Sequence, residues 1–392
     1  MMRKKIIFII VAIIQFIFIS CSSKIISQSK NKEFNELQFY VSESVINAND
    51  KNEKEIIGLW HNYLNSGEYK NKESIYWSFD EMKVPDYFLW ALGIEQLKSR
   101  TPKVQCNVIG VFPVENNYYA LKCSFAHIDN NKEIQLDDII TVYAKKFNDK
   151  FLLVNSTQYH KNVWKKQKVG EITYYIHPEH IFNLIDAKKM SKFNQNIAEK
   201  FGIKPLKFDY FVSNYAREIV QVWGYDYMPK MYIPTQSGGV ADIDNSVIYA
   251  GNNSEYYPHE LVHMYTNAKF PIDYHFWVSE GIATFFGGSG GMSLDWHLKQ
   301  LKLFLNSHPN FRLNSLKELS KYIPNGKHNT DFRYVIGGLI AKKIYEKEGI
   351  SGFFDALKKV KTDDEYFKLI KDKLGIKRDE FEKYIRAEVN NN

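Results

Sequence analysis

The feature that most constrains the fold of this chain is the pentad His259-Glu260-Leu261-Val262-His263. Two histidines four residues apart lie on one face of an α-helix, so the spacing predicts a helix whose two imidazoles reach the same metal ion. Glu260 on that helix would lie beside the open position of the metal and accept a proton from bound water. The stretch Asn252–Ser254 offers an N-cap for this helix. A helix with two surface histidines is the alternative interpretation.

A second segment supplies a third candidate ligand. Glu280 is a lone carboxylate in the otherwise apolar, helix-spaced stretch Trp277–Phe286. Burying such a group is costly unless it is paired or bound to a metal. A catalytic zinc site needs three protein ligands and an open position for water, and two His with one Glu meet that need. We therefore predict a Zn²⁺ site formed by His259, His263 and Glu280.

These residues resemble the gluzincins, the zinc peptidases of the thermolysin and aminopeptidase N type. Their third ligand is a Glu on a following helix, often within Trp-x-x-Glu-Gly-x-Ala, and Trp277–Ala283 matches that pattern. The spacing between the two motifs is slightly shorter than in those two enzymes, which favours the looser peptidase MA-like group. The resemblance covers roughly residues 170–389. It implies hydrolysis of peptide bonds with Glu260 as the catalytic base.

Two further site predictions come from the resemblance. The segment beginning at Tyr334 is similar to a Tyr-x-x-Gly-Ala segment whose Tyr donates a hydrogen bond to the tetrahedral intermediate, where charge develops on the former carbonyl oxygen. An ordinary packed aromatic is the alternative. In gluzincins an edge strand also pairs with the extended substrate. The stretch 246–250 is the candidate here, with Val247, Ile248 and Tyr249 as substrate-binding residues.

One departure from the family pattern bears on specificity. Aminopeptidase N-like enzymes carry Gly-Ala-Met-Glu-Asn before the zinc helix, and its Glu holds the free amine of the substrate. The corresponding stretch here, Gly238–Asp242, contains no Glu. We therefore expect an endopeptidase that cuts within chains. Recognition of the amine by Asp242 or Asp244 is the alternative, because a carboxylate can pair with an ammonium from several positions.

The N-terminus has the pattern of an export signal. Residues 1–21 combine a basic start with an apolar run from Ile6 to Ile19, which is short for a membrane-spanning helix. The end of this run, at Phe18-Ile19-Ser20-Cys21, resembles a bacterial lipobox, although Leu is commoner than Phe at its first position. The resemblance implies lipidation of Cys21 and a membrane-anchored protein of the cell envelope. An uncleaved N-terminal anchor is the alternative.

The remainder is predicted to be a tether and two domains of an α+β protein. Residues 22–50 are polar and read as a tether. Residues 51–165 resemble the NTF2-like fold, with helices at Glu53–Leu64 and Asp80–Gly93 before an antiparallel sheet. Residues 169–392 would form the gluzincin domain, with a small mixed sheet followed by a helical C-terminal half. The strands are predicted at Val104–Phe112, Tyr118–Phe125, Ile139–Lys145, Phe151–Thr157, Ile172–Ile176, Phe208–Ser213, Met231–Pro234 and Ser246–Ala250.

Composition excludes several classes of protein. The 392 residues are 44% hydrophobic and 25% charged, a balance that rules out a disordered or coiled-coil chain. The net charge of +7 comes without a basic stripe, so we expect no nucleic-acid partner. Three cysteines are too few for a disulfide scaffold. Cys106 and Cys123 would fall opposite each other in a hairpin, as a disulfide or as two buried thiols.

The sequence therefore predicts a membrane-anchored zinc metallopeptidase with a peptide or protein substrate. The alternative from another class is a surface binding lipoprotein with a structural or vestigial zinc site. Glu260 discriminates between the two, because a purely structural site has no use for a base. Hydrolysis of a bond other than a peptide bond is compatible with the same motif.

Overall fold

The computed structural model describes residues 37–46, 50–66, 74–79, 103–229, 237–271, 275–313, 322–325 and 328–391. The predicted signal peptide with Cys21, the predicted helix Asp80–Gly93 and the predicted strand Met231–Pro234 lie outside these residues. The described chain divides into two compact units, 37–165 with 217–229, and 166–216 with 237–391. Both mix helices with sheets, so the α+β prediction is confirmed.

The first unit is built on a six-stranded sheet. The strand order is β1-β2-β3-β4-β5, with β9 also paired to β4. All pairs are antiparallel except β1 with β2, which is parallel. The elements are β1 (Gln38–Val41), α1 (Glu43–Ile46), α2 (Lys51–Ser66), β2 (Gln105–Pro113), β3 (Tyr118–Ile128), β4 (Ile134–Phe147), β5 (Lys150–Val154), α3 (Ser156–Val163), α5 (Ala216–Val222) and β9 (Tyr225–Tyr227).

Three details of this unit differ from the sequence predictions. The predicted tether is wrong for Gln38–Val41, because these residues pair with β2 and belong to the sheet. Strand β9 comes from far along the chain and joins β4. Cys106 pairs with Phe125, and Cys123 pairs with Val108, so the two buried cysteines are offset by two residues and are free thiols. The resemblance to the NTF2-like fold stays a prediction.

The second unit contains a five-stranded mixed sheet and a helical half. The strand order is β10-β11-β8-β7-β6, in which β10 is antiparallel to β11 while β11, β8 and β7 are parallel. Its elements are β6 (Lys165–Val169), β7 (Ile172–Ile176), α4 (Leu184–Phe201), β8 (Phe208–Ser213), β10 (Gly238–Asp242), β11 (Val247–Gly251), α6 (Pro258–Lys269), α7 (Phe276–Gly287), α8 (Leu294–Ser307), β12 (Tyr322–Ile323), β13 (Thr330–Asp331), α9 (Phe332–Lys359, interrupted at Gly349), α10 (Asp363–Leu374) and α11 (Phe381–Asn391).

Helix α6 lies between two hydrophobic cores of this unit. Leu261 and Tyr265 pack into the core formed with the sheet and α4, whereas Val262 packs into the core formed by the C-terminal helices. Because both sides of α6 are covered, the polar side chains of its first two turns are buried rather than solvated. Among the described residues, no helix combines the length and apolar composition needed to cross a bilayer.

Candidate metal centre

Helix α6 presents the three side chains of the pentad to the interior. It begins at Pro258, whose fixed φ and missing N–H suit the first helical position. His259, Glu260 and His263 are 3%, 5% and 1% exposed, which excludes the interpretation as a helix with surface histidines.

Glu280 on α7 completes the cluster. His259 Nε2 lies 3.2 Å from His263 Nε2 and 3.1 Å from Glu280 Oε2, and His263 Nε2 lies 3.4 Å from the same oxygen. Ligands about 2.0–2.1 Å from a tetrahedral zinc ion are about 3.3 Å apart, so the three separations match one face of that tetrahedron. In the described part of the chain, this is the one such group of three or more His, Cys, Asp or Glu side chains.

The other nitrogen of each imidazole has a partner that orients the ring. His259 Nδ1 donates to the carbonyl oxygen of Gly288 at 2.6 Å, and His263 Nδ1 lies 3.2 Å from the hydroxyl oxygen of Ser279. With the hydrogens on Nδ1, both Nε2 atoms turn a lone pair toward the carboxylate of Glu280. Three acceptor atoms at such separations repel one another unless a cation lies between them. The donor set therefore fits Zn²⁺.

The protonation of Glu280 favours a metal ligand. Burial by itself would raise the pKa of this carboxyl, but the imidazoles of His263 and His259, when they carry a proton on Nε2, outweigh burial and hold the pKa well below its usual range. Glu280 is therefore ionised at neutral pH although it is 1% exposed. An ionised buried carboxylate facing two imidazole nitrogens is the state in which a divalent cation is bound.

Glu260 lies beside the three ligand atoms without being one of them. Burial raises the pKa of its carboxyl above the ordinary value, while His259 and His263 act in the opposite direction when their rings are protonated. The same carboxyl accepts a hydrogen bond from the backbone N–H of Ala241 in β10. A carboxylate with a raised pKa is a stronger base than an exposed one. Its position and protonation suit proton transfer to and from water.

Tyr334 on α9 packs directly on the first ligand. Its ring stacks on His259 with centroids 5.7 Å apart and an interplanar angle of 23°. Burial, followed by the charge of Glu280, raises the pKa of Tyr334 well above its ordinary value, so the hydroxyl stays protonated and remains a hydrogen-bond donor. The structure thus brings Tyr334 to the candidate metal centre as a packed aromatic whose hydroxyl is able to donate.

The predicted substrate strand is not at the edge of the sheet. Strand β11, which contains Val247, Ile248 and Tyr249, is paired with β10 on one side and β8 on the other, and all three residues are fully buried. The prediction was wrong because strand order cannot be read from one short apolar run. Among the described strands, β10 is the edge strand on this side of the sheet, next to β11.

Strand β10 also faces the metal centre more closely than β11 does. A β-carbon on Gly239 would lie 3.1 Å from Cγ of Glu260, and the Ala241 N–H is bonded to the Glu260 carboxyl. Residues two apart in a strand present their backbone groups to the same side, so the N–H and C=O of Gly239, like those of Ala241, point away from β11.

Sequence reasoning missed the groups that orient the histidines. Ser279 is a polar residue inside an apolar helix and directly precedes Glu280, and that signal was readable in the sequence. The Gly288 carbonyl oxygen carries no sequence signal, because a backbone acceptor is available at every position. The predicted cap of α6 at Asn252–Ser254 was also wrong, since the helix begins four residues after Ser254, at Pro258.

No protein-family model matches the chain, and no curated protein matches it. Among solved structures, it is similar to an M1 zinc metallopeptidase mutant from Deinococcus radiodurans bound to a Tyr-Ser-Ala substrate, with 11% identity and a TM-score of 0.27. The alignment covers 73% of this chain and 63% of that peptidase, so the chain matches less than two thirds of its length. The side-chain geometry therefore carries the functional argument.

Proposed function

We propose that this protein is a zinc-dependent metallopeptidase that hydrolyses peptide bonds. The observation that most supports the proposal is the convergence of three buried ligand atoms beside a fourth buried group, Glu260, that is not a ligand. A structural metal site is closed by its ligands and needs no adjacent base. The position of Glu260 therefore favours hydrolysis over the alternative of a binding protein with a structural or vestigial zinc site.

Each residue of the candidate site has a separate role in the proposed hydrolysis. His259, His263 and Glu280 would hold Zn²⁺, which when bound lowers the pKa of its water and polarises the substrate carbonyl. Glu260 accepts the proton of the attacking water and then delivers it to the leaving amine. The Tyr334 hydroxyl donates a hydrogen bond to the former carbonyl oxygen as negative charge develops on it.

Strand β10 is the proposed binding surface for the substrate backbone. Gly239 lies beside the Glu260 side chain, whereas the Ala241 N–H is already bonded to the Glu260 carboxyl. An extended peptide paired with the outward N–H and C=O of Gly239 would therefore pass beside the base. Backbone pairing is largely independent of sequence. Selectivity then depends on the side chains around the cleft.

We further propose that the enzyme is an endopeptidase anchored in the cell envelope by lipid on Cys21. The absence of a Glu in Gly238–Asp242 supports cleavage within chains, and the lipobox resemblance supports the anchor. Replacing Cys21 with Ser should abolish incorporation of labelled fatty acid and release the protein from membranes. Continued membrane attachment at the wild-type level would favour an uncleaved N-terminal anchor.

The decisive experiment separates metal binding from turnover. Glu260→Gln should retain about one zinc per chain and lose cleavage of a mixed peptide library followed by mass spectrometry, because the ligands remain while the base is removed. Glu280→Gln should lose both. Glu133→Gln, at an exposed position of the first unit, is the matched control and should change neither. Cleavage retained by the Glu260→Gln enzyme would contradict the assigned base.

A further inference from the structure

The turn after α7 makes an unusual set of contacts with histidines. Three consecutive carbonyl oxygens each accept a hydrogen bond from a different imidazole. The Gly288 oxygen is 2.6 Å from His259 Nδ1, the Ser289 oxygen is 2.8 Å from His297 Nε2, and the Gly290 oxygen is 2.9 Å from His328 Nδ1. Only the first of these histidines belongs to the metal centre.

This turn, residues 288–292, packs closely against the first helical turn of α6. A β-carbon on Gly287 would lie 2.6 Å from the backbone nitrogen of His259, so the two backbones touch. Gly288, Gly290 and Gly291 have φ of 73°, 54° and 81°, which favours glycine at all three positions. Ser289 and Met292 close the turn with two backbone hydrogen bonds. The direction of the Gly288 carbonyl thus depends on how this turn is held.

His297 holds the turn from the side of α8. Its Nε2 donates to the Ser289 carbonyl oxygen, and its Nδ1 lies 2.8 Å from the hydroxyl oxygen of Thr330. A carbonyl can only accept, so the hydrogen is on Nε2 and the Thr330 hydroxyl donates to Nδ1. Burial lowers the pKa of His297 to about 4, which keeps the ring neutral in this tautomer at neutral pH. His297 is 2% exposed and Thr330 is fully buried.

We propose that His297 is a positioning residue for the metal centre. It fixes the Ser289 carbonyl and, through the adjoining peptide unit, the Gly288 carbonyl that sets the orientation of His259. Both nitrogens of His297 are engaged by Ser289 and Thr330, so it acts through the turn and not as a ligand. Groups that orient a metal-ligating histidine contribute about 10–100-fold to metal affinity. The inference rests on the metal site of the proposed function, and its test does not require catalysis.

The test measures zinc affinity of the full-length chain, purified in detergent, by competition with a chromophoric chelator. His297→Phe keeps a planar ring and removes the donor to Ser289, so we expect zinc binding about tenfold weaker. His297→Gln offers an amide N–H at a similar reach and should recover most of the affinity. His308→Phe is the matched control, because His308 is exposed at the end of the same helix. Its zinc affinity should equal that of the wild type.

A second measurement, the visible spectrum of bound Co²⁺, reports the geometry of the metal site. Co²⁺ bound in place of zinc should give a visible spectrum that changes in His297→Phe and returns toward wild type in His297→Gln. Thr330→Val removes the hydroxyl that fixes the tautomer of His297, and it should also weaken zinc binding. This variant replaces His297→Phe in the test if His297→Phe does not fold.

The outcomes distinguish the two claims. If the wild type binds no zinc, the proposed function fails. If the wild type binds zinc, and His297→Phe or Thr330→Val binds it with wild-type affinity and an unchanged Co²⁺ spectrum, the positioning role of His297 is wrong and the proposed function stands.

Discussion

Gly281 of α7 and Gly337 of α9 are in backbone contact. A β-carbon on Gly281 would lie 2.5 Å from the carbonyl oxygen of Gly337, and one on Gly337 would lie 3.2 Å from Cα of Gly281. Two helices approach this closely only where neither has a side chain. Glu280 directly precedes the first glycine, and Tyr334 lies one helical turn before the second. The contact therefore sets the separation between Glu280, the third proposed metal ligand, and Tyr334, the proposed hydrogen-bond donor.

Gly281→Ala should weaken both the fold and the metal site. The added methyl group must push α7 and α9 apart, which should lower the free energy of unfolding by about 1–3 kcal/mol. Zinc should bind more weakly because Glu280 moves with α7. Urea denaturation and zinc competition measure the two effects. Gly58→Ala is the control: nothing lies within 4 Å of its β-carbon, and alanine in a helix should stabilise by about 0.5–1 kcal/mol. Wild-type stability of Gly281→Ala would contradict the close packing.

Tyr334→Phe should reduce turnover while leaving substrate binding nearly unchanged. The hydroxyl would act only once charge has developed on the carbonyl oxygen, so we expect kcat to fall about 100-fold with KM within about threefold. Zinc content should stay at the wild-type level because the ring still stacks on His259. Tyr345→Phe on the same helix is the matched control. A Tyr334→Phe enzyme with wild-type kcat would leave this residue as a packed aromatic.

A buried ion pair stabilises the segment that leads into α6. His180 Nε2 lies 2.8 Å from Glu255 Oε1, and its Nδ1 lies 3.1 Å and 3.0 Å from the amide oxygens of Asn214 and Asn253. Because all three partners accept, both ring nitrogens donate and the ring is an imidazolium. Burial opposes that charge, but the hydrogen bonds to Glu255 and Asn214 outweigh burial and raise the pKa of His180.

His180→Phe should destabilise the protein in a pH-dependent way. Removing the cation leaves the buried Glu255 carboxylate unpaired, at a cost of about 3–5 kcal/mol near pH 6. A raised folded-state pKa gives a stabilisation that is full below the unfolded pKa of about 6.5 and is lost as pH rises through the folded value. The difference from wild type should therefore shrink between pH 6 and pH 9 in urea denaturation. A difference that is constant with pH would exclude the imidazolium, and the exposed His308→Phe variant controls for the substitution.

The cluster of three candidate metal ligands could be predicted from the sequence because its pattern is local. The pair His259 and His263 depends only on helical spacing, and Glu280 stood out as a lone carboxylate in an apolar stretch. The substrate strand could not be predicted in the same way. Which of β10 and β11 lies outermost is decided by the pairing of β11 with β8, a contact between residues nearly 40 positions apart that no local pattern encodes.

The difference between local sequence patterns and contacts between distant residues also explains the smaller errors of prediction, at the start of α6 and at the partners of the imidazoles. The start of α6 is set by Pro258 and by packing on both sides of the helix, and not by the polar residues around Ser254, whose hydroxyl instead bonds Asp186 and the backbone of Tyr256. The partners of the imidazoles are likewise tertiary, since Gly288 lies 29 residues from His259. Sequence reasoning identified the side chains that the fold brings together as a candidate metal site, but the groups that orient them become visible only in the folded chain.

The position of Asp242 bears on whether the proposed peptidase needs a substrate with a free N-terminus. This residue ends β10 and is, with Asp244, one of the two alternative candidates for holding a substrate amine. Its two carboxylate oxygens accept from the backbone N–H and the side-chain amide of Asn245, at 3.1 Å and 2.7 Å, and it is 5% exposed. The carboxylate thus closes the turn between β10 and β11. Breaking these bonds to bind an ammonium would cost about 1–3 kcal/mol.

An internally quenched peptide and its N-acetylated twin should therefore be cleaved at similar rates, with kcat/KM values within about threefold. Acetylation removes the ammonium and leaves the backbone groups that would pair with β10, so an enzyme that holds its substrate by the backbone does not distinguish the two. Mass spectrometry of the products should place the cut away from the first residue. Asp242→Asn removes the charge while preserving the side-chain shape, and it should lower both rates equally or not at all. Cleavage of the free-amine peptide alone would show that the enzyme is an aminopeptidase, and loss of that cleavage in Asp242→Asn would identify the residue that binds the amine.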